Sequence, residues 1–148
     1  MRTAQLIRRV RFAAAHRYRK PEWSDEKNLE VFGLCARPNY HGHTYTCAVT
    51  VEGPIDETTG MVIDLSVVDR VLDREVVQRF DHRNINLDVP EFGEGRLIPT
   101  GENLALFILE RLQHALGWVR VHSVQIDEDE TLSAVVTHDS KKLGSESN

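Results

Sequence analysis

The 148-residue chain has only two cysteines, Cys35 and Cys47, too few for the disulfide framework of a small secreted domain. Both are expected as free thiols. It has no apolar run near the ~20 residues of a membrane-spanning helix, and its N-terminus lacks a charged-then-apolar leader. The expectation is a soluble, cytoplasmic protein. Basic charge is also scarce: 18 Lys+Arg stand against 23 Asp+Glu, for a net charge of −5, and no basic run exceeds two or three residues. Such a balance gives no general attraction to nucleic acid or anionic lipid. Repeats and low-complexity linkers are missing as well, so residues 1–138 read as one domain and 139–148 as a polar, frayed tail.

What the chain does have is alternation. From Thr3 to His16, Leu6, Val10, Phe12 and Ala14 fall on one face and Arg9 and Arg11 on the other, which predicts a strand ending at His16. Residues 20–39 carry Pro21, Gly33 and Pro38 without a clean period and read as a long loop with one helical turn. A second strand runs from His41 to Glu52, with His43, Tyr45, Cys47, Val49 and Val51 on one face. Met61 to Leu65 reads as a return strand paired with it. Ser66 and Asp69 resemble a capping box opening a helix over about 66–80. Asn84, Asn86, Pro90, Gly93, Gly95 and Pro99 make 81–99 a second loop. Thr100 then caps a helix with Leu104, Ile108, Leu112, Ala115 and Leu116 as its buried stripe, stopped by Gly117. Strands at Val119–Ile126 and Leu132–Thr137 follow, joined by the acidic turn Asp127-Glu128-Asp129-Glu130. The order predicts an α+β domain with helices on one face of an antiparallel sheet. Hairpin connections dominate, which disfavours parallel pairing.

The chemistry-bearing residues cluster at strand ends. His41 and His43 point to one side of an extended chain and can reach one ion, with Gly42 sparing a side chain beside it. His16 ends the apolar face of another strand, and three neutral imidazoles suit a tetrahedral Zn²⁺ with one open position. An unliganded surface pair is an equally ordinary use of His-x-His. Cys35 lies six residues before His41, with the Pro38 bend between them. It reads either as a general base near a cation or as a small buried hydrophobe, whereas Cys47 belongs to the core. Asp81 and His82 can pair only if the loop bends to allow it. Glu128 reads by default as part of a solvated turn, and Thr100 and Glu102 as helix cap and first-turn acid.

Together these segments resemble a known family. The run from Ser24 to Tyr45, containing Phe32-Gly33-Leu34-Cys35-Ala36-Arg37-Pro38-Asn39-Tyr40-His41-Gly42-His43, is similar to the 6-pyruvoyl-tetrahydropterin synthase family. Phe12-Ala13-Ala14-Ala15-His16, Gly60-Met61-Val62-Ile63-Asp64, Asp81-His82-Arg83-Asn84-Ile85-Asn86, Pro99-Thr100-Gly101-Glu102-Asn103 and Glu128 follow in the family's order. The resemblance implies zinc on His16, His41 and His43, Cys35 as the proton-abstracting base, and Asp81 with His82 as a proton relay. It places Thr100, Glu102 and Glu128 in the pterin pocket, with Glu128 accepting from the ring's amino group and adjacent N–H. Magnesium would accompany the substrate triphosphate, with no dedicated site for the ion evident, and Arg17 and Arg37 are the candidates by charge for gripping the triphosphate. Two positions depart from the pattern: Ala13 where Ser is frequent, and Gly101 where a hydroxylated residue is common.

The fold implied is the tunnelling fold, in which sheets join edge to edge into a barrel, as trimers paired into hexamers. The activity implied is zinc-dependent conversion of 7,8-dihydroneopterin triphosphate to 6-pyruvoyl-tetrahydropterin with loss of triphosphate, a lyase step of tetrahydrobiopterin biosynthesis. The alternative is the sister enzyme 6-carboxy-tetrahydropterin synthase of queuosine biosynthesis. It commonly has a shorter interval between the cysteine and His-Gly-His than the five residues found here. A third reading is a zinc- or pterin-binding module without turnover.

Overall fold

The computed structural model describes residues 2–138, so the polar tail at 139–148 lies outside the described residues. Strand β1 spans Thr3–His16 and β2 His41–Pro54, and the two pair antiparallel over their full lengths from Thr3↔Pro54 to His16↔His41. Between them lies more helix than the sequence suggests. Helix α1, Asp25–Phe32, runs into a 3₁₀ turn at Gly33–Ala36. It escapes a periodicity reading because it turns Leu29 and Val31 to solvent. Local polar bonds hold it instead: Ser24 Oγ accepts from Lys27 N–H, and the buried Asn28 amide donates to the carbonyls of Lys20, Trp23 and Ser24.

The return strand at Met61–Leu65 does not form. Asp56 Oδ1 accepts from the N–H groups of Thr58 and Thr59 and closes a tight turn, after which Asp64 takes over as helix cap, accepting from Ser66 N–H at 2.9 Å. Ser66 is therefore not the cap. Helix α2, Leu65–Leu72, continues through a π-helical segment at Asp73–Val77 into α3, Gln78–Phe80. At that widened turn the buried Glu75 gathers Arg74, Arg79 and Arg111 at 3.1, 3.0 and 2.7 Å. Burial pushes its carboxyl up, but hydrogen bonds from Arg111 and Arg74 outweigh burial and hold it below the ordinary range.

The loop at 81–99 contains β3, Arg83–Asn84, then α4, Ile85–Asp88, and a 3₁₀ turn at Pro90–Phe92. β3 pairs with β1 in parallel, a short exception to the expected all-antiparallel sheet. Helix α5, Gly101–Ala115, is capped by Thr100 as expected, and β4, Arg120–Asp127, and β5, Ser133–Thr137, close the chain. The sheet order is β3-β1-β2-β4-β5 and the sheet is open, with β3 and β5 at its edges. One face is covered: Phe12, Tyr45, Cys47, Val49, Val124 and Ile126 pack beneath Val68, Leu72, Phe80, Leu104, Ile108 and Leu112. The aromatic rings of Phe12 and Tyr45 stack at 4.8 Å. Ridge-to-sheet burial on this scale is the main source of stability for a domain of this size. Among the described residues no helix is long and apolar enough to cross a membrane.

Candidate metal centre and pocket

The covered face of β1 and β2 runs out at their paired ends, where the register sets His16 opposite His41 and Ala14 opposite His43. His16, His41 and His43 therefore come from adjacent strands onto one side of the sheet. Their ring centroids lie 4.6 to 5.2 Å apart, and each offers a nitrogen within 4.8 Å of the others. Tyr40 just before them takes a positive φ of 64°, so that the chain turns sharply into β2. Gly42 serves a purpose other than sparing space beside an ion. A Cβ there would meet the Ala14 carbonyl oxygen at 3.3 Å, so the glycine lets the two strand backbones close together.

The donor set fits a metal cation. His16 is fully buried, and its Nδ1 lies 2.8 Å from the Pro99 carbonyl. A carbonyl only accepts, so Nδ1 carries the proton and the Nε2 lone pair is left for a ligand. The Tyr45 hydroxyl sits 3.0 and 3.2 Å from the two ring nitrogens. Desolvation, opposed by the Pro99 hydrogen bond and aided by the neighbouring imidazoles, lowers His16 to about 4, and desolvation likewise lowers His41. Neutral imidazoles are what metal ligation needs. His43 Nε2 is buried without a hydrogen-bond partner, and a buried polar atom of that kind calls for a missing ligand or ion.

Cys35 stands in the 3₁₀ turn and is fixed to the segment just after β1 by Tyr18 N–H donating to its carbonyl at 2.8 Å. It is half-buried, which excludes the sealed-core reading that does hold for Cys47. Burial and then Glu128 push its thiol up, so nothing in the protein's own charges ionises it. Glu128 is not part of a solvated turn. Only 7% exposed, it accepts from the Tyr18 hydroxyl at 3.1 Å, and its other oxygen lies 4.0 Å from His43 Nε2. A cavity of about 310 Å³ is lined by Tyr18, Thr100, Gly101, Glu102, Ile126 and Glu128 among others, which brings together the three residues expected there.

Asp81 and His82 do pair. Positive φ at His82 (60°) folds the backbone so that its Nδ1 reaches Asp81 Oδ2 at 3.0 Å, which adjacent residues in regular structure seldom manage. The pair is bolted to β1: Ala13 N–H donates to Asp81 Oδ1 at 2.9 Å, and His82 N–H donates to the Ala13 carbonyl at 2.6 Å. Ala13 thus contributes through its backbone, which makes the missing serine immaterial to this contact. The Ala13 N–H, and His82 after it, hold the Asp81 carboxyl below the usual range. The His82 side chain is 84% exposed and shares a shallow depression with Ala13, Gly42, His43 and Thr44. Cys35 does not line it, and among the described residues neither Asp81 nor His82 bonds to the Cys35 thiol.

Four contributors escaped the sequence. Pro99 orients His16, Asn86 clamps the backbone of Arg17 from both sides at 2.9 Å, and Tyr45 and Tyr18 pack on the His16 ring. Tyr18 and Tyr45 could have been found, since each keeps step with a histidine two residues earlier. The Pro99 carbonyl could not, because it acts across 83 residues through its backbone. Arg17 donates weakly to the Pro38 carbonyl at 3.4 Å and lies over the Tyr40 ring at 5.0 Å, which leaves it beside the site without engaging it.

Comparison with known proteins agrees with this geometry. The family model described as 6-pyruvoyl tetrahydropterin synthase matches residues 5–139. The 6-pyruvoyl tetrahydrobiopterin synthase of Homo sapiens is 41% identical over 125 residues, covering 84% of this chain and 85% of that protein. A solved structure of 6-pyruvoyl tetrahydropterin synthase from Caenorhabditis elegans superposes with a TM-score of 0.86 at 31% identity, covering 94% of this chain and 98% of that one. The 6-carboxy-5,6,7,8-tetrahydropterin synthase of Synechocystis sp. is 35% identical over 106 residues, covering 69% of this chain and 76% of that protein.

Proposed function

Because the chain belongs to the 6-pyruvoyl tetrahydropterin synthase family, we propose that it converts 7,8-dihydroneopterin triphosphate to 6-pyruvoyl-tetrahydropterin with release of triphosphate. The observation that carries this reading is a group of three imidazoles able to hold a metal ion, with the buried Glu128 carboxylate 4.0 Å from one of them. His16, His41 and His43 would hold Zn²⁺, which when bound supplies a Lewis acid for the substrate's side-chain oxygens and acidifies the neighbouring C–H. Magnesium would arrive with the triphosphate, and the site offers no separate ligand set for it.

The chain's own residues divide the remaining work. Glu128 receives the amino group and adjacent N–H of the pterin ring, a bidentate match that a carboxylate accepts well. Thr100 Oγ already accepts from Asn103 N–H, so its own proton is available to the ligand. Cys35 takes the proton from the substrate carbon. Since burial and Glu128 both disfavour its thiolate, a nearby cation is required for it to work near neutral pH. Asp81 holds Nδ1–H of His82 and leaves Nε2 to carry a proton at solvent's edge. That edge position, together with the unpaired edges at β3 and β5, supports assembly of copies edge to edge, trimers pairing into hexamers, so that His82 of one copy serves Cys35 of another.

The rival is the carboxy-forming activity. The five-residue interval from Cys35 to His41, with Pro38-Asn39 in it, favours the pyruvoyl product. Incubation with 7,8-dihydroneopterin triphosphate decides: 6-pyruvoyl-tetrahydropterin and triphosphate are expected, whereas a carboxy-pterin with acetaldehyde would overturn the assignment. Binding of the pterin without turnover would leave only a module.

A further inference from the structure

Tyr18 contacts Cys35, His16 and Glu128 together, and none of the roles assigned so far includes it. Its backbone N–H secures Cys35. Its ring meets that of His16 edge-on at 5.2 Å and that of Phe32 at 5.8 Å. Its hydroxyl lies 3.1 Å from Glu128 Oε1. An ionised carboxylate has no proton to give, so the phenol donates and keeps its own lone pairs toward the cavity. Burial, and then Glu128, push the phenol above its ordinary range, so it stays a donor throughout the working pH range.

Among the described residues this is the one side-chain hydrogen bond that Glu128 receives, since His43 stands at 4.0 Å. Gly101, which opens α5, cannot replace it. Gly101 has no side chain, and a Cβ there would sit 4.0 Å from Glu128 Oε1 and 3.3 Å from the Ala134 Cβ. A buried carboxylate held by one donor has one preferred orientation; without the donor it must be ordered anew at every binding event.

We propose that Tyr18 is a positioning residue for pterin recognition: its hydroxyl clamps Oε1 of Glu128 and presents the carboxylate to the ring's two N–H donors. This rests on Glu128 as the pterin anchor. Tyr18→Phe keeps the ring packing and removes the clamp. It should raise KM for 7,8-dihydroneopterin triphosphate about tenfold, as expected for a charge-assisted hydrogen bond, with a much smaller change in kcat and unchanged zinc content. Equilibrium binding of 7,8-dihydroneopterin, which lacks the triphosphate, should weaken by a similar factor. In a Glu128→Ala background the same substitution should add nothing, because its target is gone. Unchanged KM in Tyr18→Phe, or penalties that multiply in the double variant, would overturn the proposal. Unchanged KM in Glu128→Ala would instead overturn the anchor on which it rests.

Discussion

The two histidine-bearing corners of this molecule are built on opposite plans. The metal corner lies on adjacent strands in a continuous antiparallel register, with His16 buried and its tautomer fixed by Pro99. The relay corner hangs on a two-residue edge strand, with a positive φ at His82 and its imidazole in solvent. The first is assembled from one chain, and desolvation favours the neutral forms of His16 and His41. The second is fastened to β1 through Ala13 yet bonds to no part of the Cys35 thiol. A cation needs several rigid donors at fixed distances, whereas a proton carrier needs one held ring with a free nitrogen, and the proposed roles match the backbone around each.

Substitutions can break this contrast, and the largest effect belongs to Cys35. Cys35→Ala should lower turnover about 10³-fold while zinc stays bound, measured by steady-state rates and metal analysis. Retained turnover would detach Cys35 from the chemistry. Asp81→Asn removes the acceptor that holds His82 and should lower kcat about 10²-fold, with metal content unaffected. Mixing and reassembling two inactive variants, Cys35→Ala and His82→Ala, sharpens the point. Activity should return if the relay is completed between copies, and no recovery would place it within one chain.

Mild acid, above the carboxylate range, tests the metal corner. Because His16 falls from an ordinary 6.5 to about 4 on folding, the unfolded chain binds its proton first as pH drops. Stability of the metal-free protein should therefore be full above about pH 6.5 and decline toward pH 4, by about 3 kcal/mol in all. Thermal melts across that range check it, and His16→Gln should flatten the curve. The smallest effect is remote from both corners: Glu75→Gln should cost about 2 kcal/mol without changing kcat, since it weakens the contacts to Arg74, Arg79 and Arg111. Glu75 stabilises above the ordinary carboxyl range, and that contribution is lost as pH falls through its depressed value.

The metal corner was legible in the sequence for the same reason it is rigid. Period-two alternation placed Phe12, Ala14 and His16 on one face and His43 and Tyr45 on one face of the next strand, so pairing the strands was enough to converge the imidazoles. Helix α5 was legible through its stripe and the Thr100 cap. Helix α1 was not, because it is fastened by Asn28 and Ser24 and shows Leu29 and Val31 to solvent. The Asp64 cap and the missing return strand turned on Asp56, whose side chain closes a local turn that alternation cannot reveal. Glu128 looked like one acid among four, and only the fold shows it buried under Tyr18.

The most direct test of the account is a zinc titration of metal-free protein, repeated for single alanine variants at His16, His41, His43 and Cys35. One zinc per chain is expected, with binding lost or sharply weakened in each histidine variant and kept in Cys35→Ala. Zinc that binds equally well without His43, or none bound by the intact chain, would contradict it.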